Sequence, residues 1–121
     1  MSADPYSQLV RELFANPQHA GTVAGGVTVL VEDQGVRVEL TASAASGRIA
    51  AMRFRAWGCP HLLAAAERAC SLYEGGPVEA LEIFERDRIM EDLTVPAEKT
   101  GRILVLEDAI QSLGRDLKSL K

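Results

Sequence analysis

The sequence has no excess of positive charge and no long apolar run. Thirteen Lys and Arg residues stand against seventeen Asp and Glu residues in 121, a net charge of −4. Such a chain has no global basic field to attract nucleic acid or an anionic membrane surface. Its most apolar stretches, Val27 to Val31 and Ile103 to Leu106, are far shorter than the roughly 20 residues of a membrane helix. We therefore expect neither nucleic acid nor membrane as a partner.

Cysteines are also scarce, since the chain has only Cys59 and Cys70. Two cysteines do not make a disulfide scaffold. Met1 to Pro5 contains an acid and no Lys or Arg, and no apolar segment follows, so the start of the chain does not read as a secretory signal. We expect a cytoplasmic protein with two separate thiols. Because a phosphate-binding loop, a GxSxG elbow and a CxxC pair are absent from the sequence, we do not expect an enzyme.

The length and patterning predict one α+β domain over residues 1–121. A second core would leave each half too small to bury enough apolar surface, and 47% apolar residues suit a globular chain. Apolar periodicity and turn residues predict a first helix, a three-stranded antiparallel meander and then only helices. The predicted helices are Tyr6–Ala15, Pro60 to about Gly75, Pro77–Phe84, Arg86–Leu93 and Pro96 to about Leu120; the predicted strands are Val27–Val31, Val36–Ala42 and Ile49–Trp57.

The residues from Trp57 to His61 carry the most chemistry, because a strand there delivers a thiol to the start of a helix. Pro60 suits the first helical position, which makes Cys59 the predicted N-cap. Free first-turn amides and the helix dipole favour a thiolate at that position, and His61 would add to the effect if it were charged and nearby. Cys59 is thus a candidate reactive thiol. The alternative is that a small residue simply fits a tight junction under Trp57.

The other cysteine and the other histidine do not suggest a site. Cys70 follows Cys59 by eleven residues, or about 16 Å along a helix, which is too far for a disulfide within that helix. Its apolar helical neighbours predict a small residue packed in the core. His19 lies in a loop, where a single histidine is usually solvated surface.

Several short motifs carry a resemblance to a known family. They are Tyr6-Ser7, Phe14 to Pro17 and Gly21, the run from Arg53 to Cys59, Pro96 to Lys99, and Leu106 to Ile110. With these motifs the chain resembles the IscU/NifU N-terminal family of iron–sulfur cluster scaffolds over nearly its whole length. The resemblance implies the SufE/IscU-like fold, in which helices cover a three-stranded antiparallel sheet.

The family's cluster ligands are mostly missing from this sequence. The resemblance implies three ligand cysteines, an aspartate and often a histidine. The first cysteine position falls among residues 30–34, where no cysteine occurs, and the family's His-Cys pair after Lys99 is Gly101-Arg102. Only Cys59 remains, and one thiolate cannot hold a [2Fe–2S] cluster, which needs four ligands. We therefore expect no stably bound cofactor, while leaving a cluster or zinc open.

Three functions remain open for such a degenerate site. SufE-type sulfur acceptors are similar in fold and use one cysteine at a Gly-Cys junction to take persulfide sulfur from a cysteine desulfurase. In that reading Cys59 accepts the sulfur, and Arg102, if the last helix packs beside the junction, stabilises the thiolate; His61 is a weaker candidate. Alternatively, the domain is a non-catalytic module that binds a desulfurase or another assembly partner. It could also complete a metal site with another chain.

Overall fold

The computed structural model describes residues 6–119. Within that range the chain forms a helix, a three-stranded sheet and three further helices, with two short 3₁₀ segments at Val78–Ile83 and Ala97–Lys99. The helices are α1 (Gln8–Ala15), α2 (Pro60–Tyr73), α3 (Arg86–Leu93) and α4 (Thr100–Lys118), and the strands are β1 (Val27–Asp33), β2 (Val36–Ala45) and β3 (Arg48–Trp57). The α+β prediction is confirmed. No helix among these residues is long and apolar enough to cross a membrane.

The sheet is an antiparallel meander in the order β1-β2-β3. Each hairpin closes through two residues, Gln34-Gly35 and Ser46-Gly47, and all four have positive φ. Positive φ at both central residues defines the type I′ turn, whose twist matches that of paired strands. The antiparallel meander predicted from the sequence is therefore confirmed. The first of the two turns fixes where β2 begins, close to the Cys59 junction.

One face of the sheet forms the core, and helices cover it. Val38, Leu40 and Phe54 alternate with Glu39 and other polar residues along β2 and β3, so their side chains share the buried face. Helix α4 packs against β1 and β2, and α2 packs against β3. The period-two pattern thus places the apolar side chains under the helices. Helices α2 and α4 contact each other on this face of the sheet.

The structure corrects three of the predicted helices. Helix α1 begins at Gln8 rather than Tyr6, because the Ser7 hydroxyl caps it by accepting a hydrogen bond from the Val10 amide at 3.2 Å. The segment predicted as a helix from Pro77 is a 3₁₀ helix. Pro96 does not open the last helix: the 3₁₀ turn Ala97–Lys99 follows it, and α4 begins at Thr100. The predicted end near Leu120 lies outside the described residues.

The segment between α1 and β1 is attached to the free edge of β3. The Phe54 amide donates to the His19 carbonyl at 2.9 Å, and the Gly21 amide donates to the Phe54 carbonyl at 2.8 Å, with Ala20 and Phe54 forming a parallel bridge. Residues 19–21 therefore add a short fourth partner to the sheet. They lie against the strand that leads directly into Cys59.

The prediction that His19 is solvated is wrong. Its ring Nδ1 lies 2.6 Å from Glu67 Oε2, and its backbone amide donates to Glu67 Oε1 at 2.7 Å. The ring Nε2 lies 3.4 Å from Glu74. Burial acts to raise the pKa of Glu74, but hydrogen bonds from the Met52 amide and the Arg53 guanidinium outweigh it and lower that pKa. A partly buried polar network therefore joins this segment to α2 and β3.

Candidate functional site

The candidate site lies where the β1–β2 turn and the N-terminal ends of α2 and α4 converge. A methyl group on Gly101, in the first turn of α4, would lie 3.5 Å from the side-chain oxygen of Gln34 in the β1–β2 turn. A methyl group on Gly58 would lie 2.9 Å from Val36, the first residue of β2. Three segments far apart in sequence thus meet around Cys59.

Cys59 is the N-cap of α2, as predicted. Its backbone is extended, Pro60 follows at the first helical position, and its carbonyl accepts hydrogen bonds from Leu62 and Leu63 at 3.0 and 3.2 Å. The thiol makes no capping hydrogen bond and is only partly buried. It therefore combines access to solvent with a position at the positive end of a helix dipole.

The tightest point of the junction is Gly58 rather than Cys59. A methyl group on Gly58 would lie 2.7 Å from Leu62 and 2.9 Å from Val36, distances that non-bonded carbons do not tolerate. The preceding Trp57 is exposed over 45% of its surface and lies against the guanidinium groups of Arg37 and Arg55. The need for a small residue under tight packing is therefore met by Gly58. Cys59 is itself partly buried against the core, so both explanations of this residue stay predictions.

His61 is close to the thiol in sequence, and its predicted contribution to the thiolate requires a charged ring. The residue is 1% exposed. Burial, followed by the positive charges of Lys99 and Arg102, lowers the pKa of the ring below its ordinary value of 6.5. The ring is consequently neutral at pH 7, which does not meet the condition, a charged ring, on which a contribution of His61 to the thiolate depends.

Both nitrogens of the His61 ring are buried and have no hydrogen-bond partner among residues 6–119. The Tyr6 ring packs on the imidazole with 4.7 Å between centroids. A neutral imidazole has one donor and one acceptor, and leaving them unpaired inside a protein costs about 1–3 kcal/mol each. An orphaned pair of this kind is rare in native structures and calls for an explanation.

Arg102 and Lys99 provide the positive charge at this end of the molecule. Both lie close enough to His61 to lower its pKa, which puts them on the same side as the start of α2. No ion pair found among residues 6–119 includes either side chain. The start of α4 therefore brings two cations close to His61, which is two residues from Cys59 along the chain.

Cys70 is buried, whereas Cys59 is only partly buried. The Cys70 side chain is fully buried in α2. Burial raises the pKa of its thiol, and the carboxylates of Glu67 and Glu74 raise it further. Only the thiolate is an effective nucleophile, so Cys70 is an inert core residue, in agreement with its predicted packing.

The donor set does not fit an iron–sulfur cluster held by this chain alone. Among residues 6–119, no group of three or more His, Cys, Asp or Glu side chains is arranged to hold a metal ion. Gln34 faces Gly101 across the site, and Arg102 follows it. The site therefore offers one thiolate where a cluster requires four ligands.

Comparison with known proteins identifies the family. The NifU-like N terminal domain matches residues 5–116. The chain therefore belongs to this family, that of the iron–sulfur cluster assembly scaffolds.

Two curated relatives agree with this assignment. The iron–sulfur cluster assembly scaffold protein IscU of Azotobacter vinelandii is 26% identical over 124 residues, covering 96% of both chains. The mitochondrial iron sulfur cluster assembly protein 1 of Debaryomyces hansenii is 24% identical over 122 residues, covering 94% of this chain and 68% of its own length. The resemblance noted in the sequence is thus confirmed.

Solved structures confirm the fold. The N-terminal NifU-like protein of Brucella abortus superposes with a TM-score of 0.75 at 15% identity, covering 95% of each chain. A putative iron–sulfur cluster assembly scaffold protein for the SUF system from Fervidobacterium islandicum gives a TM-score of 0.70 at 12% identity, covering 88% of this chain and 94% of the other. The sheet and its helices are therefore those of NifU-like scaffolds.

Proposed function

We propose that this protein is a sulfur acceptor in iron–sulfur cluster assembly, carrying persulfide sulfur on Cys59. The observation that supports this most directly is the thiol itself, which is partly exposed, makes no capping hydrogen bond and stands at the N-terminus of α2, two residues before His61 and the cations near that ring. The N-terminus of a helix places partial positive charge beside the sulfur. The substrate is sulfane sulfur, and the donor is a cysteine desulfurase.

The transfer is a thiol–persulfide exchange. The Cys59 thiolate attacks the outer sulfur of the donor's persulfide, a new S–S bond forms on Cys59, and the donor's S–S bond breaks. The electron pair of the broken bond leaves with the donor cysteine as its thiolate. Charge and oxidation state balance without an added oxidant or reductant.

Arg102 and Lys99 assist by electrostatics in this proposal. The Cys59 side chain is anionic as a thiolate before the step and as a persulfide after it, and a nearby guanidinium or ammonium stabilises an anion most where solvent is partly excluded. Arg102 stands where the family's pattern has a cysteine ligand. A cation at that position disfavours metal binding but suits an anionic sulfur.

Cofactor, enzyme status and location follow from the same reasoning. The protein would bind no cluster stably on its own, and it would act as a carrier that is loaded and unloaded rather than as an enzyme. Its partners would be a cysteine desulfurase and other assembly proteins. We also propose a cytoplasmic location, because Cys59 and Cys70 are both free thiols, as expected in a reducing compartment.

The second candidate is a non-catalytic module that binds a desulfurase or another assembly partner. It is favoured by the lack, among residues 6–119, of any cluster of three or more possible metal ligands. A related version has this chain share a metal site with a partner chain. Both versions leave Cys59 without a role as nucleophile, which makes them distinguishable from sulfur acceptance.

Mass spectrometry after incubation with a cysteine desulfurase and cysteine tests the proposal. The wild type and Cys70→Ser should gain one sulfur atom on the Cys59 peptide, and Cys59→Ser should gain none. Binding of the desulfurase by Cys59→Ser, measured by calorimetry, checks that the variant still docks. If the wild type binds the desulfurase but gains no sulfur, the acceptor function is refuted and the binding module takes its place.

A further inference from the structure

We infer that two copies of this chain associate through the free edge of β1, so that their sheets join into one across a twofold axis. Strand β1 is the outermost strand on one side of the order β1-β2-β3. On the other side, β3 is partly covered by residues 19–21 and by the bridge between Arg48 and Pro77. Within residues 6–119 nothing forms a bridge to the outer edge of β1. Such an edge is a template for adding a strand.

The β1–β2 turn determines which backbone groups of β1 face outward. The residues that flank this two-residue turn, Asp33 and Val36, form a hydrogen-bonded pair. Hydrogen-bonded pairs then alternate with non-hydrogen-bonded pairs along the antiparallel ladder. The amides and carbonyls of Thr28, Leu30 and Glu32 therefore point away from β2. In the described part of the chain, no backbone hydrogen bond outside the ladder involves them.

The side chains of this edge favour one register, in which Leu30 lies opposite Leu30 of the second copy. Thr28 then lies opposite Glu32, where its hydroxyl can donate to the carboxylate, and no two acids face each other. All three outward-facing residues of each strand are paired, which gives about six hydrogen bonds between the copies. Sliding the strands toward the turn would place Glu32 against Leu30 or against its own copy. Parallel pairing would bring the two acidic strand ends together.

Both faces of the edge match a second copy in this register. Leu30 is exposed over 46% of its surface, and it would be covered by its own counterpart. On the opposite face of β1, Val29 is buried and Val31 is partly buried against the core. Val29 of one copy lies opposite Val31 of the other, so the apolar surface continues between the two cores. Self-pairing therefore puts apolar beside apolar and the acid beside a hydroxyl at every position of the edge.

The association does not obstruct the candidate site. Because the paired strands are antiparallel, the two β1–β2 turns lie at opposite ends of the interface. Each turn stays beside its own α4, where Gln34 faces Gly101. The inference thus goes beyond sulfur acceptance and does not depend on it, and either can fail without the other.

Sedimentation equilibrium of the full chain in reducing buffer tests the inference. From low to high micromolar concentration, we expect the mass of the wild type to rise from 13.1 kDa toward twice that value, since an interface this small is weak. Leu30→Lys should stay monomeric, because two ammonium groups would face each other across the axis. Leu104→Lys is the matched control: Leu104 is an exposed leucine on α4, and its replacement should leave the dimer unchanged.

A mixing experiment tests the register itself. Leu30→Glu alone should also be monomeric, but an equimolar mixture of Leu30→Lys and Leu30→Glu should dimerise, because opposite charges then meet across the axis. Thermal unfolding checks that both variants fold. A wild type that stays monomeric overturns the inference and leaves the edge to a strand of another protein. A Leu30→Lys protein that dimerises like the wild type, or a mixture that stays monomeric, also overturns it. None of these results bears on whether Cys59 accepts sulfur.

Discussion

Glu67 should hold the segment before β1 against β3, and replacing it should loosen the strand that leads to Cys59. Its carboxylate is 2% exposed and receives the His19 backbone amide at 2.7 Å and the His19 ring at 2.6 Å. Glu67→Met keeps the length of the side chain but removes both acceptors. Glu67→Gln keeps an acceptor for the amide and a polar contact for the ring.

The expected loss follows from those two contacts. A hydrogen bond to a charged group contributes about 1.5–3 kcal/mol. Part of the stability lost with these contacts is recovered, because the His19 ring retains some access to solvent. A further part is recovered because a buried carboxylate no longer has to be desolvated. We expect Glu67→Met to lower the free energy of unfolding by about 2–3 kcal/mol. For a domain of this size, 2 kcal/mol corresponds to a fall in Tm of roughly 6–12 °C. Glu67→Gln should lose about half as much.

Urea unfolding gives the free energies, and hydrogen exchange locates the effect. The Phe54 amide, which donates to the His19 carbonyl, should exchange faster in Glu67→Met than in the wild type. Glu91→Met is the matched control, because Glu91 is exposed on α3 and its replacement should change stability by no more than about 0.5 kcal/mol. A Glu67→Met protein as stable as this control, with unchanged exchange at Phe54, would refute the reasoning.

The local parts of the fold could be predicted from the sequence. Alternation along β2 and β3 identified the buried face, since successive side chains of a strand point to opposite faces. Gly35 and Gly47 marked the hairpins because both turns need positive φ. Pro60 marked the first turn of α2 and so identified Cys59 as its N-cap. Each of these features depends on residues that are adjacent in sequence.

The parts that could not be predicted depend on residues far apart in sequence. His19 is separated from its partner Glu67 by 48 residues, and nothing near His19 indicates a buried carboxylate. His61 owes its burial and its neutral ring to Tyr6 and to the start of α4. One signal was available: Glu67 is a lone acid among the alanines of an apolar helix, which indicates a partner for a buried charge. The location of that partner required the structure.

Three further perturbations test the junction itself. Gly58→Ala should cost about 1–3 kcal/mol through overpacking against Leu62, which urea unfolding would detect; a loss under 0.5 kcal/mol would contradict it. Cys59 should alkylate with iodoacetamide at pH 7.5 while Cys70 reacts only on unfolding, because Cys70 is buried and its thiol pKa is raised; equal rates would contradict this. The difference in free energy of unfolding between His61→Phe and the wild type should shift in favour of the variant when the pH is lowered from 7.5 to 5. The pKa of His61 is lowered in the folded protein from 6.5, so as the pH falls below 6.5 the unfolded wild type gains a proton that the buried ring does not take up, and its stability falls. The Phe variant has no imidazole to protonate at this position, and His19 contributes equally to the pH dependence of both proteins. A stability difference between the two proteins that stays constant between the two pH values would therefore refute a neutral, buried His61.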